Sequence, residues 1–185
     1  MAVVDVDFVR GLVEEALQRA RAESANSDNS ERSRAFVKAL HEALSDHYEA
    51  EHDVIVMSRS CTSKSNRERM GMNELLYDVT ACRVAEVPSA RHKQPLTYVK
   101  EALWLVESEL ARDSGQALID FNKLVLGAAR YKLFVGPLVH DPEAFIDVLR
   151  PAAACCTGEV FAALIPHPKR WSDCDEAPRV VRLKS

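Results

Sequence analysis

The feature that most limits what this chain can fold into is a change of hydrophobic period near residue 50. Before it, apolar residues recur every three or four positions, the spacing of helices with one buried face. After it they gather into short β-branched runs separated by polar and Pro-containing stretches, which is the pattern of strands. Residues 5–22 align Val6, Val9, Val13, Ala16, Leu17 and Ala20 on one stripe, and the polar stretch 24–30 ends that helix. Ser30 is placed to cap a second helix reaching about Tyr48, with Phe36, Val37, Leu40 and Leu44 on its apolar face.

Beyond the change of period, 53–57 (DVIVM) reads as a strand, 58–70 as a polar connector, and 74–84 (ELLYDVTACRV) as a second strand. Residues 85–98, with Pro88 and Pro95, read as a loop, and 102–110 (ALWLVESEL) as a third strand. Asp113 or Ser114 then caps a helix over 115–129, followed by a strand at 131–135. Asp141 and Pro142 open a further helix ending near Cys155, since Pro suits the first helical position. A fifth strand follows Gly158, at 159–166. The expected fold is α/β, a central mixed β-sheet flanked by helices in the order α-α-β-β-β-α-β-α-β. It forms one domain over 1–185, with 5–22 as an added helix and 172–185 as a C-terminal tail.

Charge and cysteine usage restrict function. The net charge of −4 and pI of about 5.9 exclude a chain that coats nucleic acid by bulk charge, so any such site is a local patch. Five cysteines without a C-x-x-C spacing suit neither a disulfide framework nor a zinc site, and imply a reducing, cytoplasmic location. The N-terminus lacks the basic region of a secretory signal, and no run reaches the roughly 18 apolar residues of a membrane span. Nucleotide-loop, Rossmann and hydrolase-elbow motifs are missing. Cys155 and Cys156 fall on an amphipathic helix and suit core packing.

Acids interrupt two of the apolar runs. Glu107 and Glu109 lie two apart, so a strand would turn both carboxylates to one face, and Asp78 interrupts LLYDV. Desolvation and mutual repulsion penalise such acids unless a cation neutralises them, which points to a divalent metal. The competing reading is an edge Asp and a solvated strand end.

One Asp in the second strand, a carboxylate-x-Glu in the third, and a helix and strand after them resemble the PD-(D/E)XK nuclease superfamily over roughly 31–137. The resemblance implies a restriction-endonuclease-like fold and a Mg²⁺- or Mn²⁺-dependent nuclease acting on nucleic acid, with DNA as the expected substrate. It makes Asp78 and Glu107 the metal ligands and puts Glu109 where most members carry lysine. It further implies a lysine supplied from the following helix, where Lys123 stands in DFNKL. A plain surface pair between Asp120 and Lys123 is the alternative at that position. It also implies an acid from the helix before the first strand; Glu42 is the candidate, although its phase turns it away from the Phe36–Leu40–Leu44 stripe.

Arg59, Lys64, Arg67 and Arg69 outnumber Glu68 in a Ser- and Asn-rich segment and form a candidate phosphate-binding loop, against a merely solvated one. Arg91, His92 and Lys93 make a second basic set. The alternative function is the same fold used without catalysis, as a binding or interaction module. The stripe of the first helix needs cover, which either its own domain or a two-fold homodimer would provide.

Overall fold

In the computed structural model, residues 4–60, 63–92, 94–172 and 175–185 are described. Cys61, Lys93 and Cys174 lie outside them. Helix α1 spans Val6–Glu23 and starts where the Asp5 carboxylate accepts from the backbone N–H of Phe8. Helix α2 spans Asn29–His47. Its cap is Asp28 rather than Ser30: Asp28 accepts from Glu31 N, and the Glu31 side chain accepts from Asp28 N, a reciprocal capping box.

Six strands form one sheet whose spatial order equals their chain order. They are β1 (Val54–Ser58), β2 (Val79–Val87), β3 (Leu96–Ser108), β4 (Tyr131–Pro137), β5 (Glu159–Ile165) and β6 (Arg179–Lys184). β1, β2 and β3 pair antiparallel, β3, β4 and β5 pair parallel, and β6 returns antiparallel to β5. The parallel steps need crossovers, supplied by α4 (Ser114–Leu126) and α5 (Pro142–Cys155). The expected mixed α/β sheet flanked by helices is present.

The pleat sorts the core into two layers. Val79, Ala81, Trp104, Val106, Val135 and Phe161 face α1 and α2, while Leu105, Phe134, Val160 and Leu164 face α4 and α5. Trp104 is fully buried, and its indole N–H donates to the Tyr48 hydroxyl at 3.0 Å, which satisfies the polar edge of the largest buried side chain. The stripe of α1 is covered within the chain, since Val9, Leu12, Val13, Ala16 and Leu17 are all buried. The argument for a homodimer therefore loses its premise.

Several expected boundaries are corrected. The polar connector contains a helix, α3 (Lys64–Met70), capped by Ser63 and stopped by Gly71 at φ 75°. It has no apolar stripe, so only its caps mark it. The expected loop 85–98 is strand at both ends, for β2 and β3 stay paired out to Val87 opposite Leu96, and the loop shrinks to the residues between them. The second strand begins at Val79, leaving Asp78 in the bend before it. The tail holds edge strand β6, preceded by a single 3-10 turn at Pro168–Arg170. Arg179 and Arg182 alternate with its apolar residues and pair with Glu143 and Glu159, which disguises the strand as a solvated tail.

Candidate functional site

The candidate site forms at the C-terminal end of β3, where a strand antiparallel to one neighbour and parallel to the other delivers the chain to α4. Strand alternation turns Glu107 toward α4 and Ser108 toward α2. Glu107 is 2% exposed. Its Oε2 accepts from Lys123 Nζ at 3.0 Å, and the same ammonium lies 2.9 Å from Asp120 Oδ1. The expected pair with Asp120 is present, and the same lysine also bridges to the strand acid.

Glu107 Oε1 is buried and has no hydrogen-bond partner among the described residues. Burial pushes the Glu107 carboxyl up to about 7; the hydrogen bond from Lys123 opposes this, and the nearby Asp78 charge adds to it. Lys123 is also shifted upward: partial burial works against its charge, but Asp120 and Glu107 outweigh that. The salt bridge favours the charged form at both ends, but at Glu107 burial outweighs it. The Lys123 side chain is 48% exposed and screened by water, whereas the carboxylate bears nearly complete desolvation.

Asp78 reaches the same strand end from the opposite side. Its Oδ2 accepts from the Ser108 backbone N–H at 2.8 Å and from the Ser108 hydroxyl at 3.1 Å. Glu109 lies just past the strand, where its Oε1 accepts from Ala111 N at 2.6 Å. Burial raises the Glu109 pKa, and the neighbouring Asp120 raises it further. Asp120 itself is lowered despite its burial, through its hydrogen bonds from Lys123 and Gln116. Tyr77 closes one wall by donating to the Lys123 carbonyl at 3.2 Å.

Two clefts meet at this strand end. One, of about 530 Å³, is lined by Ser33, Arg34, Arg59, Ser60, Asp78 and Ser108. The other, of about 370 Å³, is bounded by the start of α2, Ser108, Glu109 and His167. They share Ser33 and Ser108 and form one trough, with Asp78 in one half and Glu109 in the other.

The structure thus places Asp78, Glu107, Glu109 and Lys123 at one end of β3, with Asp78 bonded to Ser108 on the α2 side and Glu107 bonded to Lys123 on the α4 side. It does not bring Glu42 there: that carboxylate faces Arg19 and Lys38, at 4.0 and 3.8 Å, on the surface between α1 and α2. Of the four basic connector residues only Arg59 lines the trough. Lys64 sits on α3 beside Glu68, Arg67 lies in the last turn of α3, and Arg69 faces a separate cavity with His41 and Asn66. Sequence reasoning missed Ser108, Tyr77 and Arg34. Ser108 was legible in principle, since a residue between two same-face acids points to the other face. Arg34 carries no signal, being one exposed residue of a charged helix.

The donor set suits a hard cation that keeps waters and substrate oxygens as ligands. Mg²⁺ is commonly held by one or two carboxylates, and Asp78 with the unpartnered oxygen of Glu107 offers that number. Among the described residues no group of three His, Cys, Asp or Glu side chains is preassembled for a metal, so the protein alone does not form a closed cage. No helix among the described residues is long and apolar enough to cross a membrane. No family model matches the chain, and neither a curated protein nor a solved structure does.

Proposed function

We propose that the protein is a metal-dependent nuclease of PD-(D/E)XK type that hydrolyses phosphodiester bonds in DNA and works in the cytoplasm. The observation that carries this reading is the buried, unpartnered Glu107 oxygen flanked by Asp78 and Lys123 at the end of β3. An orphaned carboxylate oxygen held in the core is costly to keep unless a cation engages it in the working state. Asp78 and Glu107 would hold Mg²⁺ or Mn²⁺, which would acidify a bound water and polarise the phosphate. Glu109, already displaced toward its protonated form by burial, is suited to orient or deprotonate the attacking water. Lys123, fixed by two carboxylates, presents its ammonium to the charge developing on phosphate.

Incubating the protein with single-stranded and duplex DNA in Mg²⁺ or Mn²⁺ tests the reading. Cleavage abolished by Glu107→Ala is expected; no cleavage, or cleavage indifferent to that substitution, defeats it. One observation favours the second reading, a nuclease fold retained as a binding module: Lys123 already neutralises the Glu107 and Asp120 carboxylates in the isolated chain. A Mn²⁺ titration separates the two, since the nuclease should show a binding signal that Asp78→Asn removes.

A further inference from the structure

The trough beside Asp78 has a chemistry that neither the carboxylates nor the connector explains. On its α2 side Arg34 projects from the second turn of the helix, and on its β1 side Arg59 follows the strand directly. Both are exposed, and among the described residues neither forms an ion pair, although most other arginines of the chain do. In a chain of net charge −4, two guanidinium groups against the single carboxylate of Asp78 in the lining of one cleft form a local reversal of sign. Ser33 and Ser60 line the same cleft, the Ser33 hydroxyl donating to the Asn29 carbonyl and keeping its lone pairs to accept. Guanidinium groups match a phosphodiester backbone, because the fork of donors fits phosphate oxygens. The other half of the trough, bounded by Glu109, Leu110 and Pro168, has among the described residues a carboxylate and no Arg or Lys in its wall, and so offers a phosphate less than the Arg34 side does.

We infer that Arg34 and Arg59 grip the nucleic-acid backbone on one side of the reacting phosphate, so that α2, rather than α3, is the strand-binding element. This rests on the proposed nuclease reading for the position of the reacting phosphate, at Ser108 between Asp78 and Glu109. It specifies a polarity: the charged backbone enters over Arg34 and Arg59, and the half beside Glu109 receives the less charged sugar and base. The grip supplies position and affinity without reading base sequence, because both groups meet phosphate rather than base edges.

The test is fluorescence anisotropy of labelled single-stranded and duplex oligonucleotides in Ca²⁺, with the probe checked as intact on a gel, across a salt series. Against the unaltered protein, Arg34→Gln/Arg59→Gln should bind at least about tenfold more weakly and lower the salt slope by about two for duplex. Arg34→Lys/Arg59→Lys should keep most of the affinity, which separates a lost phosphate contact from a damaged fold. The control Arg10→Gln/Arg150→Gln removes equal charge at arginines already paired with Asp7 and Asp147, and should bind as the parent does. Unchanged binding by the Gln pair, an equal loss in the control, or no binding of either probe by the parent overturns the inference. Binding that depends on the two arginines without any cleavage would sink the nuclease reading and leave the grip standing. Glu107-dependent cleavage indifferent to Arg34 and Arg59 would do the reverse.

Discussion

Glu107 sits where burial favours its acid form over its carboxylate, and this has a thermodynamic sign. Its folded pKa of about 7 stands above its ordinary value of 4.5. Between those limits the native state holds a proton that the unfolded chain has lost, so stability falls as pH rises through the window. Complete ionisation costs on the order of 3 kcal/mol. Glu107→Gln removes the titration, so urea melts should show the variant gaining on the parent between pH 5 and pH 8; a difference constant with pH would refute this. Lys132 is the converse case, a fully buried lysine whose ammonium donates to the Thr157 hydroxyl at 3.3 Å and whose pKa is lowered by burial. Lys132→Met keeps the length and removes the charge. The variant should be as stable as the parent or up to about 2 kcal/mol more stable in the same melts, by analogy with buried charges replaced by apolar side chains. A large loss would mean that the ammonium has a partner that matters.

At the scale of elements, α4 is held against β3 by a close approach at its end. A Cβ on Gly127 would collide with the Tyr77 hydroxyl and a Leu105 methyl. Gly127→Ala should therefore cost about 1–3 kcal/mol by overpacking and disturb the Tyr77 contact that closes the site wall, read as a lowered Tm with altered tyrosine fluorescence. How legible each element is follows from how many of its faces are buried. β4, β5, α4 and α5 are dense in apolar residues and stand where their periods place them. β6 and the outer parts of β2 and β3 have solvent on one side or along an edge, so Arg182, Lys100 and Glu101 dilute the pattern. Asp78 was misplaced into a strand because Leu75 and Leu76 precede it, yet Leu76 is 85% exposed and the segment is a bend. The site acids were legible because they break apolar runs. The cationic wall was not, because Arg34 breaks nothing.

For the whole molecule, α1 is part of the core and not an appendage. Val9, Leu12, Val13 and Leu17 are buried against the sheet and α2, and each buried aliphatic side chain contributes about 1.5–3 kcal/mol. Their sum is comparable with the 5–15 kcal/mol stability of a typical domain. A chain lacking residues 1–24 should lose its cooperative thermal transition in circular dichroism and bind a hydrophobic dye; a sharp transition near that of the parent would show α1 to be dispensable. The identity of spatial and chain order in the sheet has a consequence for synthesis. A nascent chain can lay each strand beside the one just made, without leaving a gap for a later strand to enter. Yet α1, which precedes all six strands in the chain, packs on β5 and β6 as well as on its neighbour α2. The candidate-site end of β3 can thus assemble before β5 and β6 are made, while α1, already able to pack on α2, completes its contacts only when those two strands join the sheet.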